Sequence, residues 1–107
     1  MREQKERRYE RVHVKPAKQV VVQGGGRHEV YPCPKMSLGG LFLQCTDPLP
    51  EGSTVRFGFS IDSEVIRGVA SVRSVSDRGM GLAFRSFQRT NDRAKVDAFV
   101  KRYSQQL

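Results

Sequence analysis

The chain has 107 residues, with 19 Lys and Arg against 11 Asp and Glu, a formal net charge of +8; one domain fits that length, and most multidomain enzymes are excluded. Hydrophobic residues at 37%, with 13 Val against six Leu, support a packed core and a β-branched bias that disfavours an all-helical fold. No apolar run approaches the roughly 20 residues of a membrane span, and the N-terminus lacks the apolar stretch of a signal peptide, so a cytoplasmic protein with no membrane insertion is expected.

The basic excess sits at the ends. Residues 1–18 hold seven basic and three acidic side chains (+4), residues 19–87 seven and six (+1), residues 88–107 five and two (+3). Between Arg2 and Arg11 eight of ten positions are charged. Such a segment cannot bury itself, and residues 1–12 read as a flexible basic arm: a solvated tail, or guanidinium groups that become ordered when an anion arrives.

Residues 13–107 form the folded domain in this reading. Val20 to Val22 and the run from Arg27 to Tyr31 flank Gly24, Gly25 and Gly26, which predicts a β-hairpin. Those glycines lack the spacing and the following Lys-Ser/Thr pair of a phosphate loop. From Cys33 to Gly40 the prolines and paired glycines predict a turn that leads into a strand at Leu41. Val55, Phe57, Phe59 and Ile61 alternate at period two, the clearest strand in the chain. Asp62 and Ser63 turn into Glu64–Val75, and Asp77 to Gly79 turn into the strand Met80–Phe84. Short strands joined by turns at this spacing indicate a sandwich or barrel.

The period then changes. Val96, Phe99, Val100, Tyr103 and Leu107 share one face of a helix over about residues 91–105, capped by Thr90 or Asn91 and laid on the sheet. Catalysis finds no support: His13 and His28 lack an evident nucleophile partner, and two His with two Cys twelve apart match no zinc pattern. No enzyme, no metal and no cofactor are expected. Cys33 and Cys45, in a chain without export signals, read as reduced core thiols.

The informative residues are Arg7 and Arg11, four apart in ERRYERV, and Ser37 with Gly40, three apart in KMSLGGLFL. With Gly68-Val-Ala-Ser-Val-Arg73, Gly79-Met-Gly-Leu-Ala-Phe84 and the closing helix, the chain resembles the PilZ family along nearly its whole length. The resemblance implies an all-β fold, a six-stranded antiparallel β-barrel with a C-terminal α-helix, that serves as a receptor for the bacterial second messenger cyclic di-GMP. It also implies that Arg7 and Arg11 clasp the ligand's phosphates and guanine edges, with Arg8 as a third contact and the turn at Ser37 and Gly40 as the rigid half of the site.

Side-chain chemistry agrees with that assignment. Guanidinium forks onto phosphate, bonds the O6/N7 edge of guanine and stacks on its face. A serine hydroxyl and glycine backbone admit a ligand closely, although the same residues also suit a plain turn in which Ser37 caps its own backbone. Lys35 departs from the family pattern, because ligand-binding members usually carry Asp or Asn two positions before the serine. An ammonium has donors only and cannot accept from guanine N1–H and N2–H₂. Unpaired donors in a closed site cost roughly 1–3 kcal/mol, one to two decades of affinity. Lys35 is therefore a doubtful ligand contact, unless it turns to a phosphate.

The resulting expectation is a stand-alone receptor in which cyclic di-GMP orders the arm against the barrel and changes the surface offered to an effector protein. Only six residues precede Arg7, so no fused effector is expected, and output passes to a separate protein or through self-association into a dimer. The alternatives are a PilZ-fold adaptor that has lost the ligand and works through protein contacts, and a basic barrel that binds nucleic acid. The second is disfavoured by aromatic content of 8% with no Trp, since single-strand binders interleave cations with stacking rings; Tyr9 and Tyr31 are the available platforms.

Overall fold

The computed structural model describes residues 11–104. Six strands and one helix follow in chain order: β1 (Val12–Gly24), β2 (Arg27–Met36), β3 (Gly40–Gln44), β4 (Thr54–Ile61), β5 (Glu64–Ser76), β6 (Gly79–Phe87) and α1 (Asp92–Ser104). All pairings are antiparallel, and the strands close into a barrel in the order β1-β2-β3-β6-β5-β4.

Period-two burial builds the interior. In β4 Val55, Phe57, Phe59 and Ile61 are buried while Thr54, Arg56 and Ser60 are exposed. Val20 and Val22 of β1, Leu41 and Leu43 of β3, Ile66 and Val72 of β5, and Met80 and Leu82 of β6 meet them in one core. The tight turns match their sequence signals. Gly25 and Gly26 take φ of 58° and 79°, and Asp62 and Ser63 take φ of 50° and 70°, the left-handed pair that a two-residue hairpin of primed type needs.

Three details differ from the sequence reading. β1 starts at Val12, a position assigned to the arm, because Val12 and Val14 are buried and Val12 pairs with Met36. β2 runs on through Cys33 to Met36, where a turn was expected. Pro32 and Pro34 are tolerated because β3 joins β2 only at Lys35 and Met36, so upstream the strand has a neighbour on one side alone and the missing N–H groups are not needed there. Tyr31 is buried rather than available as a stacking platform, with Arg27 at 3.5 Å from its hydroxyl.

The helix buries Val96, Phe99 and Val100 and packs against β1 and β4. It begins one residue inside the predicted limit, Asn91 standing at the cap position with its carbonyl accepting the Lys95 N–H at 3.2 Å. Leu107, the last residue of the predicted face, lies outside the described residues. Two ion pairs tie α1 to the β4–β5 turn, Arg102 to Asp62 at 3.0 Å and Lys95 to Glu64. No helix among the described residues is long and apolar enough to cross a membrane.

Candidate functional site

The register of β1 against β2 assembles the site. Val12 pairs with Met36 and His13 with Lys35, which sets Arg11, immediately before β1, beside the turn that follows β2. Arg11, Lys35, Ser37, Gly40, Arg73 and Ser74 together line a pocket of about 260 Å³. Residues from the chain's two distant halves thus meet at one place. Arg7 and Arg8, the other arm positions expected in the site, lie outside the described residues.

The turn is rigid for a local reason. The Ser37 N–H donates to the Gly40 carbonyl at 2.9 Å, and the Ser37 hydroxyl oxygen accepts from the N–H groups of Gly39 and Gly40, both at 3.1 Å. Both lone pairs of that oxygen are occupied, so what the hydroxyl retains for a visitor is its proton. It is a donor held in place, suited to an anionic oxygen.

Gly40 lines the pocket but is a glycine for the sake of the barrel. A Cβ there would stand 1.9 Å from the Leu82 carbonyl oxygen on β6. The close approach that requires the missing side chain is strand against strand, within the fold itself.

Arg73 enters by a β-bulge. Val72 pairs with Leu82 and Ser74 with Gly81, so Arg73 is the extra residue between two successive pairs. A bulge turns its side chain away from the regular alternation and increases local twist, and here the exposed Arg73 borders the pocket. The sequence reading named it only as the last residue of the motif Gly68-Val-Ala-Ser-Val-Arg73, without a role in the site. The glycine opposite makes room for the bulge: a Cβ on Gly81 would come within 2.6 Å of the Ser74 hydroxyl oxygen.

Arg11, Lys35 and Arg73 are the charged residues of the lining, with no carboxylate among them. Lys35 is half-buried, with its ammonium 5.7 Å from the centroid of the Phe42 ring on β3. Beneath it the Cys33 thiol donates to the Lys35 carbonyl at 3.2 Å, and burial pushes that thiol up to about 12. Cys33 and Cys45 are both free thiols. His13 and His28 stand exposed on β1 and β2, and no cluster of metal-ligating side chains occurs among the described residues. The arrangement can bind an anion through guanidinium, ammonium and hydroxyl groups, and it offers no carboxylate or imidazole as an acid or base.

Comparison with solved structures gives the same architecture. The Bacillus subtilis inhibitor of motility MotI/DgrA aligns with a TM-score of 0.78 at 18% identity over 98% of this chain, which spans about half (54%) of that protein's length. The PilZ domain of Escherichia coli YcgR, solved with cyclic di-GMP, aligns at 0.68 and 18% identity over 95% of this chain and 94% of that one. A Legionella protein described as uncharacterised aligns at 0.57 and 15% identity over 92% and 97%. No curated protein matches the sequence. The model of the PilZ domain matches residues 5–102, a span that takes in Arg7, Arg8 and Arg11, the serine turn, the whole barrel and most of α1; the chain belongs to the PilZ domain family.

Proposed function

We propose that this protein is a receptor for cyclic di-GMP, with Arg11 and the arm's Arg7 and Arg8 on the phosphates and guanine edges, and Ser37 and Arg73 completing the site. The observation that carries the reading is the convergence of Arg11, Ser37 and Arg73 on one pocket without a carboxylate, where the serine's remaining capacity is to donate. A cyclic dinucleotide presents two phosphodiesters to such donors, and arginine is the side chain that also reads guanine. The likeness to a PilZ domain solved with that ligand supports it. Binding orders the arm against the barrel and presents a changed surface to an effector protein; the ligand acts without a cofactor and without chemical conversion. Control of motility is the output class to examine first, given the likeness to an inhibitor of motility.

Isothermal titration calorimetry with cyclic di-GMP, with GMP as the control for simple anion attraction, tests the reading. Saturable binding that Arg11→Ala abolishes and GMP does not reproduce is the expected result. Absence of heat at high micromolar ligand, with an unchanged NMR spectrum, overturns it. A second reading is favoured by Lys35: an ammonium held over Phe42 stands where guanine's own donors need an acceptor. In that reading the protein is an adaptor that keeps the barrel and binds only protein partners.

A further inference from the structure

A larger concavity lies elsewhere on the barrel. It is a groove of about 1140 Å³ over the outer face of β1, β4 and β5, and it shares no residue with the pocket at Ser37. Its floor is aliphatic: Val21 and Val65 line it at 38% and 40% exposure, on either side of Gly58. Val21 pairs with Gly58, and Gly58 with Arg67, so these three form one row across the strands. Val30, paired with Val21 and 56% exposed, extends the row onto β2. Aliphatic side chains aligned on a solvent face are the kind of patch that marks an interaction surface.

Gly58 is the unusual member. Its backbone does not lie in the left-handed region, and a Cβ built on it meets nothing closer than 3.7 Å. The barrel therefore has no need of a glycine here, and the effect of the missing side chain is to leave the middle of the groove open. Around this floor stand Lys18, Arg56 and Arg67, and the lining contains no Asp or Glu. Arg56 and Arg67 make no ion pair among the described residues.

We propose that this groove is the docking site for an acidic segment of a protein partner, with an aliphatic side chain seated over Gly58 between Val21 and Val65 and carboxylates directed at Arg56 and Arg67. Charge complementarity selects the sign of the partner. The floor selects protein over nucleic acid. Phe57 and Phe59 are turned into the core at 3% and 4% exposure, the Phe87 ring carries the Arg93 guanidinium at 5.0 Å, and Tyr103 is packed on Phe99 at 4.9 Å. The exposed ring of the lining is the His28 imidazole, a single platform where a strand of bases needs successive rings, whereas a leucine or isoleucine finds valines. This assignment is independent of the cyclic di-GMP reading, since the two sites share no side chain.

The probe is a synthetic dodecapeptide of Asp and Glu around a central Leu-Ile pair, titrated into the isotope-labelled protein and followed by amide NMR. Its counterparts are the same peptide with Lys at every acidic position and a single-stranded DNA oligomer. The acidic peptide is expected to move the resonances of Val21, Gly58, Val65 and Arg67 and to spare Ser37 and Gly40, while the basic peptide moves none. Arg56→Glu combined with Arg67→Glu weakens this binding by about ten-fold or more. Gly58→Gln fills the groove without touching the barrel and removes the binding while the melting temperature holds. The proposal is overturned if the acidic peptide leaves those resonances in place, if the basic peptide moves them equally, if DNA binds the groove more tightly than the acidic peptide, or if Gly58→Gln binds as well as the parent.

Discussion

The Arg93 guanidinium, in the first turn of α1, donates to the Leu38 carbonyl at 3.0 Å, 55 positions back along the chain and inside the Ser37–Gly40 turn. The same guanidinium lies over the Phe87 ring at 5.0 Å. The helix thus holds the Ser37–Gly40 turn from outside while Ser37 holds it from within. Arg93→Ala is expected to cost about 0.5–1 kcal/mol, the scale of one exposed hydrogen bond, and to weaken cyclic di-GMP binding a few-fold although Arg93 is not among the pocket's lining residues. Paired calorimetry and thermal melts check this; an affinity unchanged against a lowered melting temperature would show that the tie serves the fold alone.

Arg73 reaches the pocket from a bulge and is exposed. Removing its charge leaves the core intact and deprives the ligand of one cation. Arg73→Ala is expected to lower cyclic di-GMP affinity by about ten-fold, the scale of a charge-assisted hydrogen bond, with the melting temperature unchanged. Titration at two salt concentrations adds a check, since loss of a phosphate contact shallows the salt dependence.

Lys35 is the position where ligand chemistry and sequence disagree. Lys35→Asp supplies an acceptor for guanine N1–H and N2–H₂ in place of three donors. The expected gain is about one to two decades of affinity, read by calorimetry on the variant beside the parent. A loss instead would mean that the ammonium contacts a phosphate.

Two glycines of this barrel should respond oppositely to alanine. At Gly40 the new Cβ meets the Leu82 carbonyl oxygen at 1.9 Å, and backbone cannot give way cheaply; Gly40→Ala is expected to destabilise by several kcal/mol or to prevent folding, on the scale of overpacking against fixed structure (about 1–3 kcal/mol or more). At Gly58 the nearest atoms are 3.7 Å away and the backbone is ordinary. Gly58→Ala there reduces the freedom of the unfolded chain and is expected to stabilise by roughly 0.4–1 kcal/mol. Denaturant midpoints of the two variants decide the matter.

Acid should loosen the seat of α1. The Arg102 guanidinium, by hydrogen bond and by charge, holds the Asp62 carboxyl below its ordinary 3.8, and the Lys95 ammonium likewise holds Glu64 below 4.5. A depressed folded value means that the unfolded chain binds protons first. The contribution is complete above the ordinary values and is lost as the pH falls through the depressed ones. Both pairs are solvent-exposed, so the effect is small and screened by salt. Melting temperature followed from about pH 6 down to pH 3 should fall less steeply in Arg102→Gln than in the parent.

Legibility in the sequence followed the range of the interactions. The turn at Asp62-Ser63, the hairpin at the glycines and the alternation of β4 depend on neighbours in the chain, and they were readable residue by residue. The extension of β2 through two prolines was not, because it depends on where β3 stops, a fact about another strand. The burial of Tyr31 is likewise set by its position in that longer strand, and a short β-prone run carried no sign of which face turns inward. Arg73 was named in a motif but left without a role for the same reason: a bulge is a mismatch in pairing count between β5 and β6, invisible in either strand alone. Ser37 and Gly40 were singled out together, yet the structure divides their roles. The serine oxygen accepts two N–H groups and keeps its proton to donate, and the glycine answers to a carbonyl on the next strand.

Closure of the sheet has a consequence for how this chain meets others. β1 is bonded to β2 along one flank and to β4 along the other, so the circuit of six strands returns on itself. The pairing is nonetheless partial, since β3 reaches β2 only at Lys35 and Met36 and β4 reaches β1 only at Val21, Val22 and Gln23, and on the open stretch of β2 Pro32 and Pro34 withhold N–H donors that an added strand would need. Recognition is thereby directed to side chains, where changing a single residue rewrites the partner without disturbing the cylinder beneath.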